Sequence, residues 1–180
     1  MQIQEDILKK TSTLIDKRNY KEAQSILLEF IKENKNIKID VKVYYLLYLS
    51  CEALKESKSA KKYLEKCIKI NYKNHIALNN LANIYLKEGN VLKAEKFYLK
   101  SLENKKDYLI VIINLAIFYQ DIGKLEQANK FYLKAIELSP KQISIYFNLS
   151  RIDKNFMNKE KLEYLADIMK NEKIKPIDMS

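Results

Sequence analysis

Apolar and small residues in the middle of the chain recur with a fixed period. Segment 79–105 reads NNLANIYLKEGNVLKAEKFYLKSLENK, and segment 113–141 repeats its pattern 34 residues later. The matched pairs are Leu81 with Leu115, Ala82 with Ala116, Tyr85 with Tyr119, Gly89 with Gly123, Ala94 with Ala128 and Tyr98 with Tyr132. A fixed 34-residue period is the signature of a helix–turn–helix unit that stacks on its neighbours as a solenoid. The pattern therefore predicts an all-α chain built from helix pairs.

The repeated residues have local physical reasons. Ala94 and Ala128 are small, which lets the two helices of a pair approach closely. Gly89 and Gly123 each follow a helical run, where a left-handed helix cap favours a residue without Cβ. Pro140 comes after the second helix of its repeat, where a helix must stop. These residues therefore predict where helices meet, turn and end.

These motifs resemble the tetratricopeptide repeat family, whose order is Leu-Gly-x-x-Tyr, then Ala, an aromatic residue, Ala and Pro. The matching positions are Leu81-Ala82-x-x-Tyr85, Leu115-Ala116-x-x-Tyr119, Ala94 with Tyr98, Ala128 with Tyr132, then Ala135 and Pro140. The chain departs from the pattern in having Ala for the first Gly and no Trp. The resemblance implies a right-handed α-solenoid of about five helix–turn–helix units.

We expect a single domain over 1–180, with a loose tail at 173–180. The predicted repeats cover about 4–37, 41–74, 75–108, 109–142 and 143–176. The first repeat is degenerate, which is normal at a solenoid end that has no neighbour on one side. The last repeat lacks the small residue in its second helix and is predicted to be a capping pair.

Composition adds few constraints. Only 2 Gly and 2 Pro occur in 180 residues, which favours helices over a β-rich fold. The most apolar run, 108–119, is shorter than the roughly 20 residues that span a bilayer. No signal peptide is recognised, and Cys51 and Cys67 take apolar repeat positions, so a reducing, cytoplasmic setting is expected.

The first helix of each repeat lines the concave face in this family, and the resemblance implies a partner-binding groove there. Asn80, Asn114 and Asn148 recur at one position, similar to the asparagine ladder of the O-linked GlcNAc transferase superhelix. Their amides can hold the backbone of an extended peptide; alternatively, Asn is simply common at this position. The predicted groove residues are Asn79, Asn80, Asn83, Ile110, Ile113, Asn114, Ile117, Phe147, Asn148 and Arg151.

The expected ligand of this groove is a protein or peptide segment. Exposed apolar residues in a concave surface usually mark a binding site, although some of these can instead pack under a neighbouring helix. Chaperone-binding members of the family clamp a terminal carboxylate with Lys, Asn, Asn, Lys and Arg. The lysines are absent at the matching places here, so that ligand is not expected.

Six lysines form a second candidate surface, on the convex side. They are spaced by 34 and by four residues, so they share one face of successive second helices: Lys62, Lys66, Lys96, Lys100, Lys130 and Lys134. The net charge is +10, and an acidic protein, a nucleic-acid backbone or an anionic membrane could bind such a surface. Nucleic acid is the less favoured alternative, because Arg, which reads bases, occurs only twice. The lysines can also serve only solubility.

The sequence contains no catalytic constellation. It has no Gly-rich phosphate loop, no spaced Cys/His ligand set and a single histidine, so we expect no enzyme activity, cofactor or metal. Residues 145–156, together with the leucine-bearing helix that follows them, are similar to the segment that joins repeats to the catalytic domain in some bacterial sulfotransferases. That resemblance implies, as an alternative, a repeat module of a sulfotransferase-type enzyme whose catalytic domain is absent.

Overall fold

The computed structural model describes residues 2–171, which form ten α-helices and no strand. The expectation of a loose tail at 173–180 lies outside these residues. The helices are α1 (Gln2–Asp16), α2 (Tyr20–Glu33), α3 (Val41–Ala53), α4 (Ser57–Ile70), α5 (His75–Lys87), α6 (Val91–Asn104), α7 (Leu109–Asp121), α8 (Leu125–Leu138), α9 (Ile143–Ile152) and α10 (Lys159–Asn171). The predicted all-α fold of helix–turn–helix units is confirmed.

The chain divides into two compact units. Unit 1 ends at Lys105 and contains α1 to α6; unit 2 begins at Lys106 and contains α7 to α10. In unit 1, α3 packs on α4 and α5 on α6, and in unit 2 α7 packs on α8. The assignment of one domain and its repeat boundaries stays a prediction.

Alanines lie where paired helices meet. Ala60 and Ala94 in unit 1, and Ala128 in unit 2, are fully buried on the second helices of their pairs. Tyr98 and Tyr132 are also buried, one turn further along the same helices. A side chain larger than alanine at these contacts would force the helices apart, because protein interiors are close-packed.

Side chains cap several helices at their start. Asp40 accepts a hydrogen bond from the Lys42 amide at 2.7 Å and so caps α3. Asn74 caps α5, and Asn90 caps α6, in the same way. Each cap satisfies an amide that lacks a partner within its helix, which explains why these helices start where they do.

The turn inside each regular helix pair has a positive φ. Gly89 and Gly123 have φ of 74° and 76°, as predicted. The turns of the first two pairs have the same geometry without glycine, because Arg18 and Lys55 adopt φ of 60° and 61°. In the Lys55 turn, the Glu56 amide donates to the Cys51 carbonyl at 2.8 Å, which closes the helix end.

Exchanging residues in these turns is expected to change stability in opposite directions. Lys55→Gly should raise the free energy of unfolding by about 0.5–1 kcal/mol, because it removes left-handed strain from a residue with a Cβ. Gly89→Ala should lower it by about 1 kcal/mol; an added Cβ meets no atom within 4 Å, so only conformational strain contributes. Urea unfolding of the two variants checks this. Equal shifts in one direction would contradict the argument.

Candidate partner-binding site

Helix α7 is apolar on two sides, and only one of them is covered. Val111, Leu115 and Phe118 are fully buried in unit 2. Ile110 and Ile117, on the same helix, are 53% and 37% exposed, and Ile113 is half-buried. Because water-exposed isoleucine is unfavourable, this uncovered side is a candidate contact surface.

Helix α9 contributes a second part of the candidate site in unit 2. Ile145 and Leu149 are buried, whereas Phe147 is 50% exposed and Arg151 is exposed. Asn148, which lies between Phe147 and Arg151 in the sequence, is half-buried. An aromatic ring, an amide and a guanidinium therefore belong to residues of α9 that lie outside its fully buried core.

Tyr132 connects the helices of unit 2. Its hydroxyl donates to Gln120 Oε1 on α7 at 2.7 Å. Burial raises the pKa of this hydroxyl to about 12, the Asp121 carboxylate also raises it, and the Arg151 guanidinium on α9 lowers it. The Tyr132 hydroxyl therefore ties α8 to α7, and α8 also packs on α9.

The predicted groove residues of repeat three serve internal contacts of unit 1. Asn79 is buried, 2% exposed, and so lies beneath the α5 surface, not on it as predicted. It donates to Asn80 Oδ1 at 3.3 Å. Asn83 accepts from the Tyr98 hydroxyl. These amides thus have structural partners in the folded chain.

The six predicted lysines differ in their surroundings. Lys62, Lys96 and Lys130 are exposed. Lys66 is half-buried, with Nζ 4.8 Å from the centre of the Tyr44 ring. Lys134, also half-buried, donates from Nζ to the Lys106 carbonyl at 3.1 Å in unit 2. The ammonium groups of Lys66 and Lys134 therefore have contacts within the protein.

Lys100 completes the set. It is exposed, and its Nζ lies 5.9 Å from the centre of the Phe97 ring on its own helix. Four of the lysines belong to α4 and α6 of unit 1 and two to α8 of unit 2. The lysines therefore form separate groups in the two units.

A pocket at the start of unit 1 was missed by the sequence reasoning. It has a volume of about 410 Å³ between α1 and α3, and its lining residues are Glu5, Leu8, Lys9, Ser12, Lys42, Tyr45 and Leu46. The sequence did contain a signal for this pocket. If repeat one begins near residue 4, the lining residues occupy the same positions within their repeats as the predicted groove residues do in the later repeats. The poor repeat match of α1 obscured it.

Within residues 2–171, no group of three or more His, Cys, Asp or Glu side chains is arranged so that it could hold a metal ion. Cys51 and Cys67 are buried free thiols, and burial raises their pKa to about 11 and about 12. Burial, followed by the charge of Lys105, lowers the pKa of His75. The expectations of no enzyme activity and no metal remain predictions.

The segment that resembles a sulfotransferase linker has a packing function in unit 2. Phe156 is buried, and its ring centre lies 6.1 Å from that of Tyr146. Lys161 Nζ donates to the Phe156 carbonyl at 2.8 Å. These contacts tie the connection between α9 and α10 to α9, and the sulfotransferase module stays an alternative prediction.

Comparison with family models gives two matches. One model described as "Tetratricopeptide repeat" matches residues 74–141, and a second with the same description matches residues 41–74. Together they cover 41–141, more than half of the 180 residues. The chain belongs to the tetratricopeptide repeat family. Membership in this family supports a protein-interaction scaffold that binds protein partners.

One relative is similar to part of this chain. The "Uncharacterized protein ycf37" of Porphyra purpurea is 36% identical over 76 residues, which are 42% of this chain and 44% of that protein. The chain thus matches less than half the length of this relative.

Within residues 2–171, no helix is both long enough and apolar enough to cross a membrane.

Solved structures share the fold at low sequence identity. MamA residues 41-end from Desulfovibrio magneticus RS-1 is 17% identical with a TM-score of 0.74, covering 97% of both chains. A tetratricopeptide repeat protein from Parabacteroides merdae is 16% identical with a TM-score of 0.75, covering 96% of this chain and 68% of that one. Pseudomonas aeruginosa pilF is 15% identical with a TM-score of 0.75, covering 93% and 75%. The likeness supports the predicted solenoid class.

Proposed function

We propose that the chain is a scaffold that binds an extended segment of a partner protein along α7 and α9 of unit 2. The observation that carries this proposal is the exposure of Ile110, Ile117 and Phe147 on helices whose other large apolar residues are mostly buried. The family places ligands on the first helices of its repeats, and α7 and α9 are first helices.

The chemistry of the surface suits a mixed peptide. Covering an isoleucine or phenylalanine side chain contributes about 1.5–3 kcal/mol when burial is complete, and less from a half-exposed start. Asn148 offers an amide that can pair with the backbone of an extended segment. Arg151 favours a carboxylate on the partner, because its guanidinium pairs with that group through two hydrogen bonds. The ligand is therefore an apolar segment with an acidic residue near Arg151.

The test is a quantitative pull-down from host lysate with three baits. One bait is the native chain, and the second carries Ile110→Ser, Ile117→Ser and Phe147→Ser. The third is a matched control in the same unit with Leu125→Ser, Leu133→Ser and Leu138→Ser, whose leucines on α8 are similarly exposed. We expect the second bait to recover its partners at least about tenfold less than the native chain, and the control to match the native chain. Equal recovery by all three baits would refute the proposal.

The alternative function is an electrostatic adaptor that binds acidic partners through the exposed lysines. The exposure of Lys62, Lys96 and Lys130 supports it, whereas the internal contacts of Lys66 and Lys134 count against a continuous lysine surface. A steep fall in recovery between low and moderate salt, unchanged by the serine substitutions, would favour this alternative.

A further inference from the structure

The pocket between α1 and α3 combines an apolar floor with a charged rim. Leu8 and Leu46 are half-buried, and both pack on the core cluster of Leu27, Phe30, Val43 and Leu47. Tyr45 forms a wall beside them. Around this apolar surface lie Lys9 and Lys42, both exposed. Such a surface suits a ligand that has one bulky apolar side chain and negative charge on either side of it.

The walls of this pocket are held by specific contacts. The Asp40 amide donates to Gln4 Oε1 at 3.2 Å, which ties α1 to the residue that caps α3. The Asp40 side chain in turn accepts from the Lys42 amide, and so fixes the start of α3. On the other side, the Tyr45 ring packs against the Tyr48 ring, with 5.6 Å between the ring centres. A pocket with fixed walls binds with less loss of conformational entropy.

The charge around the pocket is positive, both locally and over unit 1. The pocket lining has one acidic residue, Glu5, and two basic residues, Lys9 and Lys42. Lys9 also lines a neighbouring surface groove with Lys10 and Lys17, where Asp6 is the acidic residue. Over residues 1–105 the chain has 21 Lys and Arg against 13 Asp and Glu, a net +8, compared with +2 for residues 106–180. Acidic ligands are therefore drawn towards unit 1 more than towards unit 2.

We infer that this pocket is a second docking site, which takes an acidic segment of a partner protein. A bulky apolar side chain of that segment enters between Leu8, Tyr45 and Leu46, and flanking carboxylates pair with Lys9 and Lys42. A nucleic acid fits less well, because its closely spaced phosphates would meet Glu5 and Asp6 and would leave the apolar floor uncovered. The site lies in unit 1 and does not depend on the α7–α9 surface.

The test measures binding of a fluorescein-labelled nonapeptide, in which Glu and Asp flank a central Phe-Leu pair, by fluorescence anisotropy. We expect the double variant Lys9→Glu and Lys42→Glu to bind this probe about tenfold more weakly. The matched control reverses two exposed lysines of the same unit, Lys21→Glu and Lys58→Glu, and should bind within about twofold of the native chain. Replacing the central Phe-Leu pair of the probe with Ala-Ala should also weaken binding about tenfold.

Several results would overturn this inference. These are no binding at millimolar probe, an unchanged affinity in the Lys9→Glu and Lys42→Glu variant, an equal loss in the control pair, or an unchanged affinity for the Ala-Ala probe. Displacement of the probe by a short oligothymidylate at lower concentration than by unlabelled peptide would also overturn it, and would indicate a nucleic-acid surface. The Ile110/Ile117/Phe147 serine variant of unit 2 should bind the probe normally. If it does not, the peptide binds unit 2 and the pocket inference is wrong, whatever the pull-down shows.

Discussion

Replacing Phe118 with alanine is expected to lower the free energy of unfolding by about 4 kcal/mol. Phe118 is fully buried in α7, and its ring meets the Tyr119 ring edge-on with 5.3 Å between the ring centres. Alanine would remove that packing and leave a cavity which the surrounding helices of unit 2 can close only in part. Urea unfolding followed by far-ultraviolet circular dichroism measures the change.

The neighbouring residue provides a matched control for this prediction. Ile117→Ala lies on the same helix and also shortens an apolar side chain, but Ile117 is partly exposed. Its effect on the free energy of unfolding should stay below about 1 kcal/mol. If both variants lost the same stability, the structure would have the wrong face of α7 in the core.

Raising the pH above about 9 is expected to destabilise the protein by several kcal/mol. Burial raises the pKa of the Tyr98 hydroxyl to about 12, and burial followed by the charge of Asp121 does the same for Tyr132. Burial also raises the pKa of the Cys51 and Cys67 thiols to about 11 and about 12. All four groups therefore ionise more readily in the unfolded chain than in the folded one.

The direction of this pH dependence follows from the proton balance. Below about pH 8.5, the ordinary pKa of a thiol, all four groups are protonated in both states and the full stability is present. As pH rises through about 9 to 10, the unfolded state loses these protons while the folded state keeps them, so stability falls until the folded pKa values are reached. The urea midpoint measured from about pH 8 to about pH 11 should show a progressive decline.

A double variant, Tyr98→Phe with Tyr132→Phe, isolates the tyrosine contribution. It should start about 1–3 kcal/mol less stable at neutral pH, because it deletes the hydroxyls that reach Asn83 and Gln120. Its stability should then decline less steeply with pH than that of the native chain. An unchanged slope would show that the lysines and cysteines, and not the tyrosines, govern alkaline unfolding.

The 34-residue period predicted the helix pairs, and the reason is physical. Small residues such as Ala94 and turn residues such as Gly89 are dictated by backbone geometry, which is the same in every pair. The turn at Lys55 shows the limit of this reasoning: the left-handed geometry is kept there without glycine, because neighbouring hydrogen bonds hold it. A sequence pattern cannot show strain that the rest of the fold maintains.

The candidate site was less predictable than the fold. The repeat position predicted Ile110, Ile117 and Phe147 as groove residues; they are exposed, and their role in binding stays a prediction. It could not show that Asn83 accepts from Tyr98, or that Lys134 donates to the Lys106 carbonyl, since such bonds depend on side-chain reach across helices. The pocket of unit 1 was hidden for a different reason: α1 keeps its position in the repeat but has lost the family residues.

The two buried tyrosines have a consequence for protein engineering. The Tyr98 hydroxyl donates to Asn83, which is the ninth residue of repeat three. The Tyr132 hydroxyl donates to Gln120, which is the twelfth residue of repeat four, and the ninth residue of repeat four is Ile117. Grafting the binding chemistry of unit 2 onto α5 by Asn83→Ile alone would delete the acceptor that Tyr98 uses. Adding Leu86→Gln supplies an acceptor at the twelfth position. The proposed binding residues should therefore be exchanged between these repeats as a pair, with the ninth and twelfth positions moved together.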